Sequence, residues 1–449
     1  VGGFLTGGTE AGWNLEAGFG GRFDQPGLLP VALGVLLAAL SMVATGLNAV
    51  VTAHLCRRGP GAGPASILIS ASLVSGALTL AAAALLAVVM AFALADRLLG
   101  LAVFAPRGGG DPQLFASLFR VFLAPAVAAM MVLACGLVLQ RLAERSRGAA
   151  SARTAAAVLV LLGVAGALGW GGLPALSAGL ALAGLLLVVV LALQHLRRGV
   201  AAVDAALVYG IGFLVMAVEA QGAAWLEAMP PGGAPLATTT FGVARSHLLW
   251  LALMGMALPA GLHAGWREFT GRTASETLGR VAALVVFAGS QLAFLPLFVL
   301  GLRGASFRAN AYPPEFQVLN VLALAGATIL LVGLGLSVLA FAGSSRGRIA
   351  RGPLVAAAVL LAVLAGAGCG GGATPAEARE LQVTVSGMHC EGCAEGITQK
   401  LRRQKGVLTV DVHFSNAVQT VRYDAGRVEA DALVAVITKA GFTVAPAAP

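Results

Sequence analysis

Charge is scarce in this chain. Only 11% of its 449 residues are charged, against roughly 25% in an average soluble domain, while 58% are hydrophobic and the mean hydropathy is +0.88. This composition excludes an ordinary water-soluble globule and implies a polytopic membrane protein. Lysine is scarcer still: Lys400, Lys405 and Lys439 all follow residue 380. The last ~70 residues therefore read as a soluble domain joined to a lipid-solvated body. Aromatic residues make up 6%, and no basic stretch is interleaved with them, so the net charge of +9 gives no nucleic-acid face.

Apolar runs cover residues 30–55, 65–95, 113–142, 154–171, 174–195, 203–225, 238–265, 278–302 and 317–343, with a shorter tenth at 353–368. Most reach the ~20 residues that cross a ~30 Å hydrocarbon core, and 154–171 and 353–368 are marginal. The expected body is thus an all-α bundle of about nine to ten helices. Arginines fall in alternate loops: Arg57 and Arg58; Arg141, Arg145, Arg147 and Arg153; Arg197 and Arg198; Arg267, Arg272 and Arg280; Arg346, Arg348 and Arg351. By the positive-inside rule these loops are cytoplasmic. If the tenth run crosses, everything beyond residue 368 lies outside, on the periplasmic side of a bacterial inner membrane.

The tenth run also imitates a lipoprotein signal. Arg346 to Arg351 precede an apolar stretch that ends in Gly366-Ala367-Gly368-Cys369. Its internal position and Gly366 three residues before the cysteine favour a plain anchor over lipidation of Cys369. Segment 346–369 is therefore an extra anchor or signal-like element, and the Gly/Ala/Pro-rich 370–380 is a linker.

Beyond the linker the hydrophobic pattern shortens. Strands are expected at 381–386, 407–414, 417–423 and 442–445, and helices at 391–404 and 429–440, giving the α+β ferredoxin-like order β-α-β-β-α-β. Between the first strand and first helix stands Gly387-Met388-His389-Cys390-Glu391-Gly392-Cys393. Two thiols three positions apart can close on one soft ion, Cu(I) or Zn(II) before Mg or Ca. A redox pair or structural disulfide is the alternative reading of such a pair. With this order around it, 381–446 resembles the heavy-metal-associated domain of copper chaperones, copper pumps and mercury-binding proteins. That resemblance implies Cys390 and Cys393 as the metal ligands. His389 is either a third ligand or a solvated loop residue, and His413 reads as a structural or surface residue.

The membrane body carries a second set of motifs: Asp96-Arg97, Pro106, Gly108-Gly109-Gly110-Asp111-Pro112 and Leu114-Phe115. Further on come Thr270-Gly271-Arg272, Leu278-Gly279, Phe294-Leu295-Pro296, Leu300-Gly301-Leu302, Gly304, Arg308 and Tyr312-Pro313. In order and spacing these resemble haem-copper (cytochrome c) oxidase subunit I. Domain 1–345 is thus similar to that subunit, with Val1 falling inside the family's third helix, so an N-terminally incomplete fragment is expected. The resemblance implies respiratory electron transport, haem, copper and partner oxidase subunits.

At the positions where that family keeps its chemistry, the chain departs from it. The family's His-Pro-Glu-Val-Tyr is Ala124-Pro125-Ala126-Val127-Ala128, and its following histidine pair aligns with Gly172 and Leu173. Its His-x-His, ligating the high-spin and low-spin haems in that order, is Arg245-Ser246-His247. By resemblance His247 is the remaining low-spin haem ligand and Arg308 a propionate contact. Arg245 is expected to meet a propionate, line a polar cavity or pair with Glu219. His54 copies a haem signature but falls at a cytoplasmic helix end, at a different depth from His247, and reads as interfacial, as do His195 and His263. Cys56 and Cys135 are expected to be buried small apolar residues.

Two functions of different classes follow. One is a membrane-anchored soft-metal protein, most simply for Cu(I), whose degenerate oxidase-like body serves copper capture or transfer toward an acceptor protein or oxidase assembly. The other is an oxidase subunit I-type electron-transfer protein that retains haem.

Overall fold

Long stretches of Leu, Ala and Val, broken by few prolines, favour uninterrupted helix, because an apolar medium leaves backbone N–H and C=O groups no partner outside the helix itself. A computed structural model of the chain describes residues 28–58, 66–104, 110–146, 152–169, 173–200, 202–229, 236–306, 312–342, 378–386, 391–402, 404, 406–412, 418–424, 426 and 428–446. The first compact unit is Val1–Gly366 and the second Ala367–Pro449.

The helices of the first unit are α1 (Leu28–Arg58), α2 (Ile67–Leu99), α3 (Pro112–Arg145), α4 (Ala152–Leu168), α5 (Pro174–Arg197) and α6 (Ala205–Ala228). They continue with α7 (Thr240–Leu251), α8 (Leu258–Thr270), α9 (Glu276–Leu302) and α10 (Gln317–Ala342). A π-helical segment, Ala252–Ala257, joins α7 to α8 into one 31-residue span. Among the described residues eight spans are long and apolar enough to cross a membrane, and α4, with 17 residues, is a shorter ninth apolar helix. The tenth run at 353–368 lies outside the described residues.

Local chemistry sets several ends. The Asp204 carboxylate accepts from Leu207 N–H at 3.0 Å to start α6, and Thr239 Oγ1 accepts from Phe241 N–H to start α7. Gly271, at φ +67°, stops α8 in the left-handed conformation that suits glycine. Inside, Leu139, Leu159, Leu185, Tyr209, Phe213 and Met216 are fully buried. The outer faces keep large apolar residues such as Leu37, Leu47, Leu284 and Val338 exposed, as a lipid-solvated surface requires. In the α9–α10 pair the helices approach closely: a Cβ on Gly333 would lie 2.7 Å from Val286 N, and one on Gly289 would collide with the Leu330 backbone.

The second unit contains β1 (Ala378–Ser386), α11 (Glu391–Arg402), β2 (Val407–Asp411), β3 (Val418–Asp424), α12 (Ala430–Lys439) and β4 (Thr443–Pro446). Its antiparallel sheet runs β2-β3-β1-β4, with Leu381 opposite Val421 and Val385 opposite Val444. This is the expected β-α-β-β-α-β order. β1 starts three residues earlier than the sequence pattern indicates, because Ala378 to Glu380 continue the ladder against Arg422 to Asp424. Alternation sends Val383, Val385, Val421 and Tyr423 to one face, where Ile397 and Leu401 of α11 and Leu433 and Ile437 of α12 cover them. Burying each such aliphatic side chain is worth about 1.5–3 kcal/mol.

Candidate metal and haem sites

Cys393 belongs to the first turn of α11, which opens at Glu391 directly after Cys390. A helix start carries unpaired N–H groups and the positive end of the helix dipole, both of which favour thiolate over thiol. Downstream on that helix, Ala394, Ile397 and Leu401 are buried in the core, so the turn bearing Cys393 is anchored by packing. Gly387 to Cys390, and His413, lie outside the described residues. Among the described residues no group of three or more His, Cys, Asp or Glu could hold a metal.

His247 sits on α7 with its Nδ1 2.9 Å from the Val243 carbonyl oxygen. A carbonyl only accepts, so Nδ1 carries the proton and Nε2 keeps the lone pair. The ring is exposed and lies 6.1 Å from the Phe294 ring, tilted by 24°. An oriented imidazole with a free Nε2 fits an axial haem ligand. Arg308, its expected companion, lies outside the described residues. His54 is exposed near the end of α1, which packs on α2 rather than on α7.

Arg245 does not meet Glu219. Its Nε lies 2.7 Å from Glu227 Oε2, whereas Glu219 accepts from Gln291 Nε2 at 2.8 Å. The approach to Glu227 is off the N–H axis, and neither Arg245 Nε nor Glu227 Oε1 makes a well-aligned hydrogen bond; the contact is an ion pair held by charge. Glu227 carries no linear signal as the partner because, eight residues beyond Glu219 on one helix, nothing marks which turn faces α7.

The opposite end of the bundle holds another polar group. Asp204 receives Arg141 Nη2 and Arg145 Nη2, each at 2.8 Å, while Glu276 Oε2 accepts from Ala205 N–H at 2.8 Å. His263, expected at the interface, is buried against Tyr209 and Phe341, and neither ring nitrogen has a partner among the described residues. His195 is buried as well, its Nδ1 2.7 Å from Ser146 Oγ. These histidines are covered because neighbouring helix ends fold over them, which the linear pattern cannot convey. Cys135 is buried as expected, whereas Cys56 is exposed. Asp204 had a legible signal, an Asp placed directly before an apolar helical run.

Comparison with known proteins agrees with both halves. Residues 382–443 match the family model "Heavy-metal-associated domain". The body is 26% identical over 348 residues to "Cytochrome c oxidase subunit 1" of Synechocystis sp., covering 73% of this chain and 62% of that protein. It is 26% identical over 334 residues to the Bacillus subtilis protein of the same name, covering 69% and 52%. It is also 26% identical over 353 residues to "Alternative cytochrome c oxidase subunit 1" of Bradyrhizobium diazoefficiens, covering 71% and 60%. The chain thus spans between 52% and 62% of the length of these relatives. Residues 1–329 match the model "Cytochrome C and Quinol oxidase polypeptide I", and with most of its length inside that match the chain belongs to the cytochrome c and quinol oxidase polypeptide I family, with a heavy-metal-associated domain appended.

Proposed function

We propose that this integral membrane protein captures a soft metal ion, Cu(I) as cargo, between Cys390 and Cys393 on the outer side of the membrane, and passes it to an acceptor protein or to oxidase assembly. The observation that carries the reading is the Cys-x-x-Cys pair at the entrance to α11 of a heavy-metal-associated domain. Thiolate softness selects Cu(I) over the hard cations, and the helix start favours the deprotonated ligand. The outer location rests on the alternation of arginine-rich loops through the body.

In this reading the body is an oxidase-like anchor that lacks the family's copper ligands. A haem held by His247 is the second reading, favoured by the fixed tautomer that leaves Nε2 free. The test is Cu(I) titration of the full chain in detergent against a chromogenic chelator. Cys390→Ser and Cys393→Ser should each abolish tight binding, and an unchanged affinity in either variant overturns the thiol assignment.

A further inference from the structure

Family membership implies a copper ion beside a second, high-spin haem, and the residues present here fit neither. We infer that the residues at those positions cannot hold that pair, because alanines packed against glycines stand where an imidazole and a phenol are expected and an ion-paired arginine stands where the high-spin haem's histidine is expected, so that the body can hold one haem at most and no copper. The inference deepens the body half of the proposed function and stands whether or not the thiol domain binds Cu(I).

The first departure lies between α3 and α4. By resemblance, positions 124 and 128 would carry an imidazole and a phenol. Here both are alanine, and the helix opposite is glycine at the matching heights: a Cβ on Gly166 would collide with the Ala128 Cβ, and one on Gly169 would come within 3.0 Å of the Ala124 Cβ. Small residues on both sides let the backbones touch. Ser177 Oγ donates to the Ala165 carbonyl at 2.7 Å and ties α5 to this stretch of α4. At these two heights the small side chains on α3 meet glycine directly, so an imidazole or a phenol on the same side would meet the facing backbone.

The ion pair marks the second departure. At the position where the resemblance expects the high-spin haem's histidine stands Arg245, whose guanidinium has no lone pair to offer a metal. Its charge is met by Glu227 on α6, a side chain only 11% exposed. Gly242 makes room for that carboxylate, since a Cβ there would lie 3.1 Å from Glu227 Oε1 and 2.7 Å from the Ala237 carbonyl oxygen. An arginine within a membrane span is costly unless paired. At three of the changed positions the replacement has a fitting neighbour: Gly169 and Gly166 against Ala124 and Ala128, and Glu227 against Arg245. The remaining oriented imidazole, His247, is two positions along α7.

Two measurements on the full chain in detergent test this. In the first, haem is counted per wild-type chain, and copper is counted in the Cys390→Ser/Cys393→Ser double variant. We expect no more than one haem per chain and no copper retained; two haems per chain, or one copper per chain in the double variant, overturns the inference. In the second, thermal unfolding is compared for wild type, Ala124→His/Ala128→Tyr and Gly166→Ala. Both variants should melt several degrees lower, and if the double substitution melts as the wild type does, the pocket is open and the inference fails. A wild-type chain that fails to take up Cu(I) would defeat the capture role alone and leave this inference untouched.

Discussion

The Tyr209 hydroxyl and Ser337 Oγ lie 2.7 Å apart in the buried interior, joining α6 to α10 across 128 residues of sequence. Ser337 Oγ also lies 2.9 Å from the Gly333 carbonyl oxygen, to which it donates. The tyrosine is thus the member with one partner and the serine the member with two. Tyr209→Phe removes a hydroxyl and leaves Ser337 bonded to its own helix, so the loss should be about 0.5–1.5 kcal/mol. Ser337→Ala strands a buried phenol and should cost more, about 1–3 kcal/mol. Thermal unfolding of the two variants in detergent checks the order, and equal losses would show that the phenol finds another partner.

Asp204 makes a sharper case because one carboxylate has two duties. It caps α6 through Leu207 N–H and neutralises Arg141 and Arg145. Asn keeps the capping oxygen and loses the charge, whereas Ala loses both. Asp204→Ala should therefore be less stable than Asp204→Asn by about 1 kcal/mol, the value of an N-cap. The charge loss common to both should fall below the ~3 kcal/mol of a fully buried pair, because the two arginine side chains are 22% and 32% exposed. Denaturant titration of the three proteins measures both differences.

How far the sequence reaches can be judged from such residues. Spans are legible because solvation by lipid demands a long apolar run whatever the neighbours are, and α1, α2 and α9 follow their runs closely. The strand order is legible because alternation and glycine breaks are local. Pairing across helices is not: Glu219 and Glu227 are equivalent in type and helix, and only their depth against α7 and α9 decides that Glu227 meets Arg245 while Glu219 meets Gln291. The same limit hid the burial of His195 and His263 and the exposure of Cys56. The π-helical turn at Ala252–Ala257 also has no linear signature. The thiol pair is legible as a candidate from its spacing, and the strand and helix order around it, which is also local, adds the resemblance that implies metal ligation.

Close helix contacts predict a contrast among glycines. At Gly289 an added Cβ meets the Leu330 backbone, which cannot move without displacing α10, while at Gly222 it meets nothing within 4 Å. Gly289→Ala should therefore destabilise by about 1–3 kcal/mol, the usual cost of overpacking. Gly222→Ala should be neutral or stabilising by up to ~1 kcal/mol, since alanine is the better helix former. Opposite signs in a melting comparison support the close α9–α10 approach, and a neutral Gly289→Ala would mean that the helices stand further apart.

The side of the membrane on which the thiols lie can be read by chemical access. Loops rich in arginine precede α2, α4, α6 and α9, so the positive-inside rule sets the beginnings of these helices in the cytoplasm. Counting on from α10 through an anchor at 353–368 leaves Cys390 and Cys393 outside. Cys56, close to Arg57 and Arg58, should face the cytoplasm, and buried Cys135 should react with nothing. A membrane-impermeant maleimide applied to intact spheroplasts, with a Cu(I) chelator to free the thiols and Cys369→Ala to remove the remaining outer cysteine, should label the chain. Cys390→Ser/Cys393→Ser should abolish that signal, while Cys56→Ser should reduce labelling only after permeabilisation. Labelling of Cys390 and Cys393 that requires permeabilisation would place the domain in the cytoplasm. Capture would then draw on the cytoplasmic metal pool, and the 353–368 run would not be a crossing.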